Sequence, residues 1–149
     1  MAAKSLRQQL VEAVDTRLKT ILTTGGYETN VGGNVFWWRS RLDQAGLPAI
    51  VCLDRQHQEW AATASWRRTL IIDLEIYLAP AGAPDTAMRQ ALADIETAIG
   101  SDVTCGGLAE DTSFFEGEHM SLDDHESIVV ASGFFITIEY TTEPWNPRS

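Results

Sequence analysis

The sequence predicts an α/β fold of the α+β kind: a mixed, mainly antiparallel sheet with two long strands and two amphipathic helices packed on it. Three observations carry that expectation. In residues 66–78, WRRTLIIDLEIYL, every second position from Leu70 is aliphatic (Leu70, Ile72, Leu74, Ile76, Leu78), while Thr69, Ile71, Asp73, Glu75 and Tyr77 between them are mixed and partly charged. A period of two with one dry face marks a half-buried strand. Residues 127–141 show the same alternation, with Ile128, Val130, Phe134, Ile136, Ile138 and Tyr140 as one set. Two other stretches space their apolar residues by three and four, which builds the buried stripe of a helix. The two long strands are expected as neighbours in one sheet, with the helix between them packed across it.

The first helix is expected over residues 3–22, where Leu6, Leu10, Val14, Leu18, Ile21 and Leu22 share a face and Arg7, Glu12, Asp15, Arg17 and Lys19 lie elsewhere. That is about five turns. Thr23, Thr24, Gly25 and Gly26 should stop it, since glycine accepts the left-handed cap that other residues resist. A short extended piece, residues 27–31, then ends at Gly32 and Gly33. The two glycine pairs do not read as a phosphate cradle, because no Lys-Ser/Thr follows them and no strand leads into a helix there.

Residues 34–42, NVFWWRSRL, place Phe36, Trp37 and Trp38 in a row, followed by Arg39 and Arg41. On an extended backbone three successive side chains cannot all enter one core, so at least one should face outward or toward a partner. Aromatics with arginine are also the composition of interface anchors. The competing reading is that two of the rings cap the sheet and the third is amphipathic surface.

Residues 43–46 read as a polar turn, and Pro48 opens a short strand at 49–53, an end where proline is tolerated. The polar residues 54–65 suit a hairpin loop around Trp60, with His57 as a surface histidine. The breaker cluster PAGAP ends the central strand, and a second helix follows over residues 84–99, carrying Met88, Ala91, Leu92, Ile95 and Ile99 on one face and Asp85 in its first turn. Gly100 should end it.

Residues 110–126 form an acidic island of Glu110, Asp111, Glu116, Glu118, Asp123, Asp124 and Glu126. It reads as a solvated loop or a strand edge, where charge keeps sheets from pairing promiscuously. His119 and His125 beside Asp123 and Asp124 lack the spacing of a calcium loop or a zinc helix, so no metal is expected. The closing TTEPWNPRS, residues 141–149, has two prolines around Trp145 and is expected as a stiff, extended tail with that tryptophan as an anchor onto a neighbour.

With 149 residues and no Ser/Pro/Gly-rich linker, the chain is expected to be one domain, 1–149, able to bury a core without covalent staples. Cys52 in an apolar strand and Cys105 beside glycines make no disulfide framework, and the N-terminus does not resemble a signal peptide. No apolar run approaches the roughly 20 residues that span a bilayer. A formal charge of −10 argues against a general nucleic-acid binder, whose surface must neutralise phosphate. It suits a soluble protein, or a negative wall past which DNA slides without sticking. No nucleophile has its partners in view, and Gly-x-Ser-x-Gly, Gly-x-Gly-x-x-Gly and paired-cysteine zinc spacings are absent. The expectation is a protein that is not an enzyme and takes no cofactor.

The order of parts resembles the tail terminator (minor tail, tail completion) family of tailed bacteriophages. The likeness rests on the NVF of residues 34–36 with Arg39 following, the ADIETAI helix of residues 93–99, and a closing strand running into Tyr140-x-x-x-Pro144. Trp37 and Trp38 stand where the family pattern leads us to expect an arginine directly after NVF. The resemblance implies a subunit of a ring, usually a hexamer, that caps the head-proximal end of the tail tube. It would stop tube growth and offer its other face to a neck or head-completion protein. It implies a location in the virion tail, with the host cytoplasm as the place of assembly and no membrane. DNA would pass the lumen without specific binding. On this reading Phe36, Trp37, Trp38, Arg39, Arg41 and Trp145 are the candidate subunit contacts. Asp73 and Glu75 join the acidic island as candidate lumen residues. The alternatives are a tail tube or neck subunit of similar topology, or a small cytoplasmic ligand-binding domain.

Overall fold

The computed structural model describes residues 3–39, 46–62, 64–79, 82–123 and 128–149, with the backbone alone for 60–62, 115–120, 122–123 and 132–133. Two helices, α1 (Leu6–Leu18) and α2 (Pro84–Gly100), lie with a five-stranded sheet of β1 (Val35–Trp37), β2 (Ala49–Ala62), β3 (Ser65–Leu78), β4 (Asp111–Asp123) and β5 (Ile128–Thr142). The spatial order is β1-β2-β3-β5-β4. Among the described residues only the β1 and β2 pair is parallel; the other three pairs are antiparallel. This is an α+β fold with a mixed, mainly antiparallel sheet, as the alternating and helical patterns predicted.

The two strands that the sequence marks most strongly, β3 and β5, are neighbours, paired from Trp66 opposite Thr142 to Leu78 opposite Val129. Both helices pack on one face of the sheet. Leu10, Val14 and Leu18 of α1 and Met88, Ile95 and Ile99 of α2 meet Leu70, Ile72, Leu74 and Ile76 of β3 and Phe134, Ile136 and Ile138 of β5 in one core. The intervening positions of β3 are only half-buried, and among the described residues no helix covers that second face.

Several expectations are corrected. Among the described residues there are four long strands rather than two. β2 does not stop at residue 53: it runs to Ala62, its polar half laddered against β3 from Asp54 opposite Ile72 to Trp60 opposite Trp66. Backbone pairing, not apolar periodicity, makes that half a strand, so residues 54–62 of the expected hairpin loop are strand as well. Of the two readings of the acidic island, the strand edge holds for residues 111–123, which form β4 and, among the described residues, pair with β5 alone. In β5 a bulge lies where Leu74 and Ile76 face Phe134 and Ala131. One extra residue inverts the side-chain alternation. Val129 and Ala131 are therefore the buried pair, and Ile128 and Val130 are only half-buried.

Helix α1 starts on Ser5, whose Oγ accepts from the Gln8 N–H at 3.1 Å, and ends at Leu18, four residues short of the expectation. Beyond it the chain turns through short 3-10 segments at Thr23–Gly25 and Val31–Gly33. Gly26 closes the first with φ 91°. The expected extended piece is therefore a looped crossing. Its backbone is held by Asp94 of α2, which accepts from the N–H of Glu28 and from the N–H and hydroxyl of Thr29. The guanidinium of Arg17 in turn donates to the carbonyls of Ile99 and Asp102, satisfying the C-terminal end of α2.

The C-terminal residues are not an extended tail. Thr141 and Thr142 complete β5, and the chain then curls, with the Glu143 N–H donating to the Ser149 carbonyl and the Asn146 N–H to that of Glu143. The curl is tied to the start of α1 by the Leu6 N–H on the Pro147 carbonyl at 2.8 Å and by Arg148 Nε on the Ala3 carbonyl at 2.6 Å.

Candidate interface surfaces

The aromatic run of residues 36–38 divides three ways. Three residues of extended backbone in β1 place Val35 and Trp37 on the helix side and Phe36 on the other. Trp37 is half-buried against the core, and its indole N–H donates to Asp15 Oδ1 of α1 at 2.9 Å. Phe36 lies under the guanidinium of Arg39, 4.2 Å from ring centroid to Cζ, a cation–π contact. At Trp38 the strand breaks into the left-handed region, φ 58°, and the indole turns outward with 67% of its surface exposed. Arg41 lies outside the described residues.

Trp38 is exposed yet fixed. Its backbone N–H donates to the Cys52 carbonyl, its indole N–H donates to Asp54 Oδ1 at 2.8 Å, and Asp54 Oδ2 accepts from Nε and Nη2 of Arg7 at 2.8 and 2.6 Å. A bidentate arginine and a left-handed backbone at a bulky residue together hold an apolar face in water. Between this wall and α1 lies an open cleft of about 430 Å³. Val11, Val35 and Trp37 give it an apolar floor, and Glu12, Asp15 and Lys19 stand at its rim.

Trp145 is the second exposed tryptophan, at 86%, and it too has a left-handed backbone, φ 61°. Its ring meets Trp66 of β3 edge-on at 4.8 Å, and Trp66 in turn lies 5.6 Å from the guanidinium of Arg68. Arg68 is buried and donates to the Thr142 hydroxyl. Trp145 is therefore seated at the Trp66 end of β3, the end paired with Thr142 of β5.

Of the candidate lumen acids, Asp73 and Glu75 fall on the open side of the sheet and Asp111 on its edge. Asp73 and Glu75 point to the uncovered face, but neither stands alone: Asp73 accepts from Arg55 Nε at 3.1 Å and Glu75 accepts from the Tyr77 hydroxyl. Partial burial, then that hydrogen bond and the charge of Glu75, raise the Tyr77 phenol from 10.0 to about 12. Asp111 is exposed and directly opposite Glu139 of β5, a like-charged cross-strand pair, and Glu110 is exposed just before it. Glu116, Glu118 and Asp123 belong to β4, with side chains outside the description, and Asp124 and Glu126 lie outside the described residues.

Sequence reasoning missed Glu139, whose role needs its partner across the sheet, and the Arg7, Asp54 and Trp38 chain, which joins residues far apart in sequence. Asp94 carries a signal in retrospect: it is an acid on the apolar face of α2, between Ala91 and Ala98. Burial pushes the Cys52 thiol up, and the nearby Asp15 and Asp54 carboxylates push it further. His57 is exposed beside Glu59. Among the described residues no three His, Cys, Asp or Glu side chains stand together as a metal would require, and no helix is long and apolar enough to cross a membrane. No protein-family model matches the chain, and no curated protein does.

Proposed function

We propose that this chain is a structural virion protein, a ring-forming tail terminator that caps the head-proximal end of a phage tail tube, stops its polymerisation and presents a surface to the neck. The observation that carries the reading is the pair of outward tryptophans, Trp38 and Trp145, each held at a left-handed backbone on a different part of the molecule. A closed ring is built from head-to-tail contacts, which need two unlike patches on every subunit. Exposed aromatic residues fixed in place are the side chains that dominate such contacts. The open face of the sheet and its acidic edge supply a surface that a ring can turn toward its lumen. There Asp111, Glu139 and their neighbours would repel phosphate and let DNA pass. In this role the protein binds and does no chemistry.

Native mass spectrometry and negative-stain images, of the protein alone and mixed with tail tube protein, test the proposal. Closed rings, most simply of six, seated on one end of the tube are expected. Monomer alone at high concentration, with nothing bound at tube ends, would sink it. Growth of long tubes from the protein itself would favour a tube subunit instead. The cleft beside α1 favours a second reading, because about 430 Å³ lies within the size range of small-molecule sites. A ligand-binding domain would be a monomer or dimer, so the same measurement separates the two.

A further inference from the structure

We infer that the contact between subunits is a knob and a hole: Trp145 of one copy seats in the cleft between α1 and β1 of the next. The inference deepens the ring reading and rests on it. Two independent observations meet here. Among the described large apolar side chains that stand exposed, Trp38 and Trp145 are much the most exposed, and these two share the rare left-handed backbone. A non-glycine residue in that region is strained and persists only where the surroundings impose it. At Trp145 the imposing groups are the hydrogen bonds of the C-terminal curl and the Trp66 ring; at Trp38 they are Cys52, Asp54 and, through Asp54, Arg7. One tryptophan is thus held as a projection and the other as a wall.

The two surfaces also match in size and chemistry. The cleft, about 430 Å³, admits an indole and leaves room beside it. Its floor of Val11, Val35 and Trp37 extends the core to the surface, so a ring seated there completes a packing that the subunit leaves unfinished. An indole N–H that enters an apolar site needs an acceptor. The rim offers the carboxylate of Glu12, whose donors within the subunit are the exposed Lys4 and Gln8 side chains. The projection and the pocket both adjoin the start of α1, the curl through Ala3 and Leu6 and the cleft through Ser5, Arg7 and Gln8, but they are two unlike surfaces, so the knob of one copy in the cleft of the next gives a contact that repeats head to tail and closes as a ring when the rotation allows.

The test mixes two variants that each keep one half of the contact. Trp145→Ala removes the knob, and Gln8→Trp fills the mouth of the cleft from the exposed start of α1. Each variant alone is expected to be monomeric where the wild type forms rings, with association at least about 30-fold weaker, the size expected for a hot-spot tryptophan. Mixed in equal amounts they should form a one-to-one dimer, through the knob of the Gln8→Trp chain and the open cleft of the Trp145→Ala chain. Circular dichroism and melting confirm that both variants fold; Trp38→Ala, which removes the cleft wall, stands in if Gln8→Trp does not. Rings formed by Trp145→Ala as readily as by wild type would overturn the inference and leave the ring reading standing. A mixture that stays monomeric would overturn it too. Wild-type protein that never associates, even at tube ends, would overturn both.

Discussion

At Trp37 and Trp38 one peptide bond separates a side chain that belongs to the core from one that belongs to the surface. Alternation along β1 turns Trp37 toward α1, and the left-handed φ at Trp38 throws the next ring outward. The two should therefore respond differently to truncation. Trp37→Ala is expected to cost about 2–3 kcal/mol of stability by chemical denaturation, a half-buried version of the usual large-to-small loss. Trp38→Ala should stay within about 1 kcal/mol of wild type yet weaken association. Equal stability losses at both positions would place Trp38 in the core. Tyr77 offers a second test at this scale. Its folded-state value of about 12 exceeds the ordinary 10.0, so the native state holds the phenolic proton more tightly than the unfolded chain does. The corresponding stability is complete below about 10 and is lost as pH rises toward 12. Glu75→Gln should lower the transition without returning it to the ordinary value, because burial is the larger cause. Ultraviolet titration of the tyrosines reads this directly.

At the scale of elements, the crossing from α1 to β1 depends on two small features. Gly32 lies so close to the end of α1 that an added Cβ would stand 2.1 Å from the Leu18 carbonyl oxygen and 2.9 Å from Ile21 N and O. Those neighbours are backbone and cannot swing aside. Gly32→Ala is expected to cost about 3 kcal/mol or more in a thermal or denaturant melt, beyond ordinary overpacking. Asp94 is the second feature. Asp94→Ala leaves the Glu28 and Thr29 N–H groups without their acceptor, and a loss of about 2 kcal/mol is expected. Amide exchange should quicken at residues 28–29 before it does in β3, whose ladders are flanked on both sides. Protection unchanged there would mean that the crossing is held by its own turns.

For the whole molecule, charge is the constraint on assembly. A ring of six such subunits would carry six times −10, so its contacts must keep acids apart or face them to solvent or lumen. Asp111 and Glu139 already oppose each other across β4 and β5, which a subunit tolerates because both are exposed. If the open face lines the lumen, Asp111→Lys combined with Glu139→Lys should leave rings intact and slow DNA release from assembled particles. The lysines would then hold phosphate by counterion release, an effect that weakens as salt rises. Unchanged release in intact particles would refute the lumen assignment.

What the sequence by itself determined is the part of the fold written in local burial: β3, the second half of β5, and α2 announce themselves because each turns one apolar face to the core at a constant period. The resemblance of its order of parts suggested a role but named no geometry. Tertiary structure decided the rest, because pairing between distant segments leaves no period behind. The polar half of β2 is a strand only because β3 runs beside it. Between the loop and the strand edge that the acidic island allowed, the free ladder of β5 decides for a strand over residues 111–123. One bulge reverses which of Val129 and Val130 is buried. The C-terminal residues curl rather than extend because the start of α1 supplies the Leu6 N–H and the Ala3 carbonyl to hold them, and that curl is what turns Trp145 into a fixed projection.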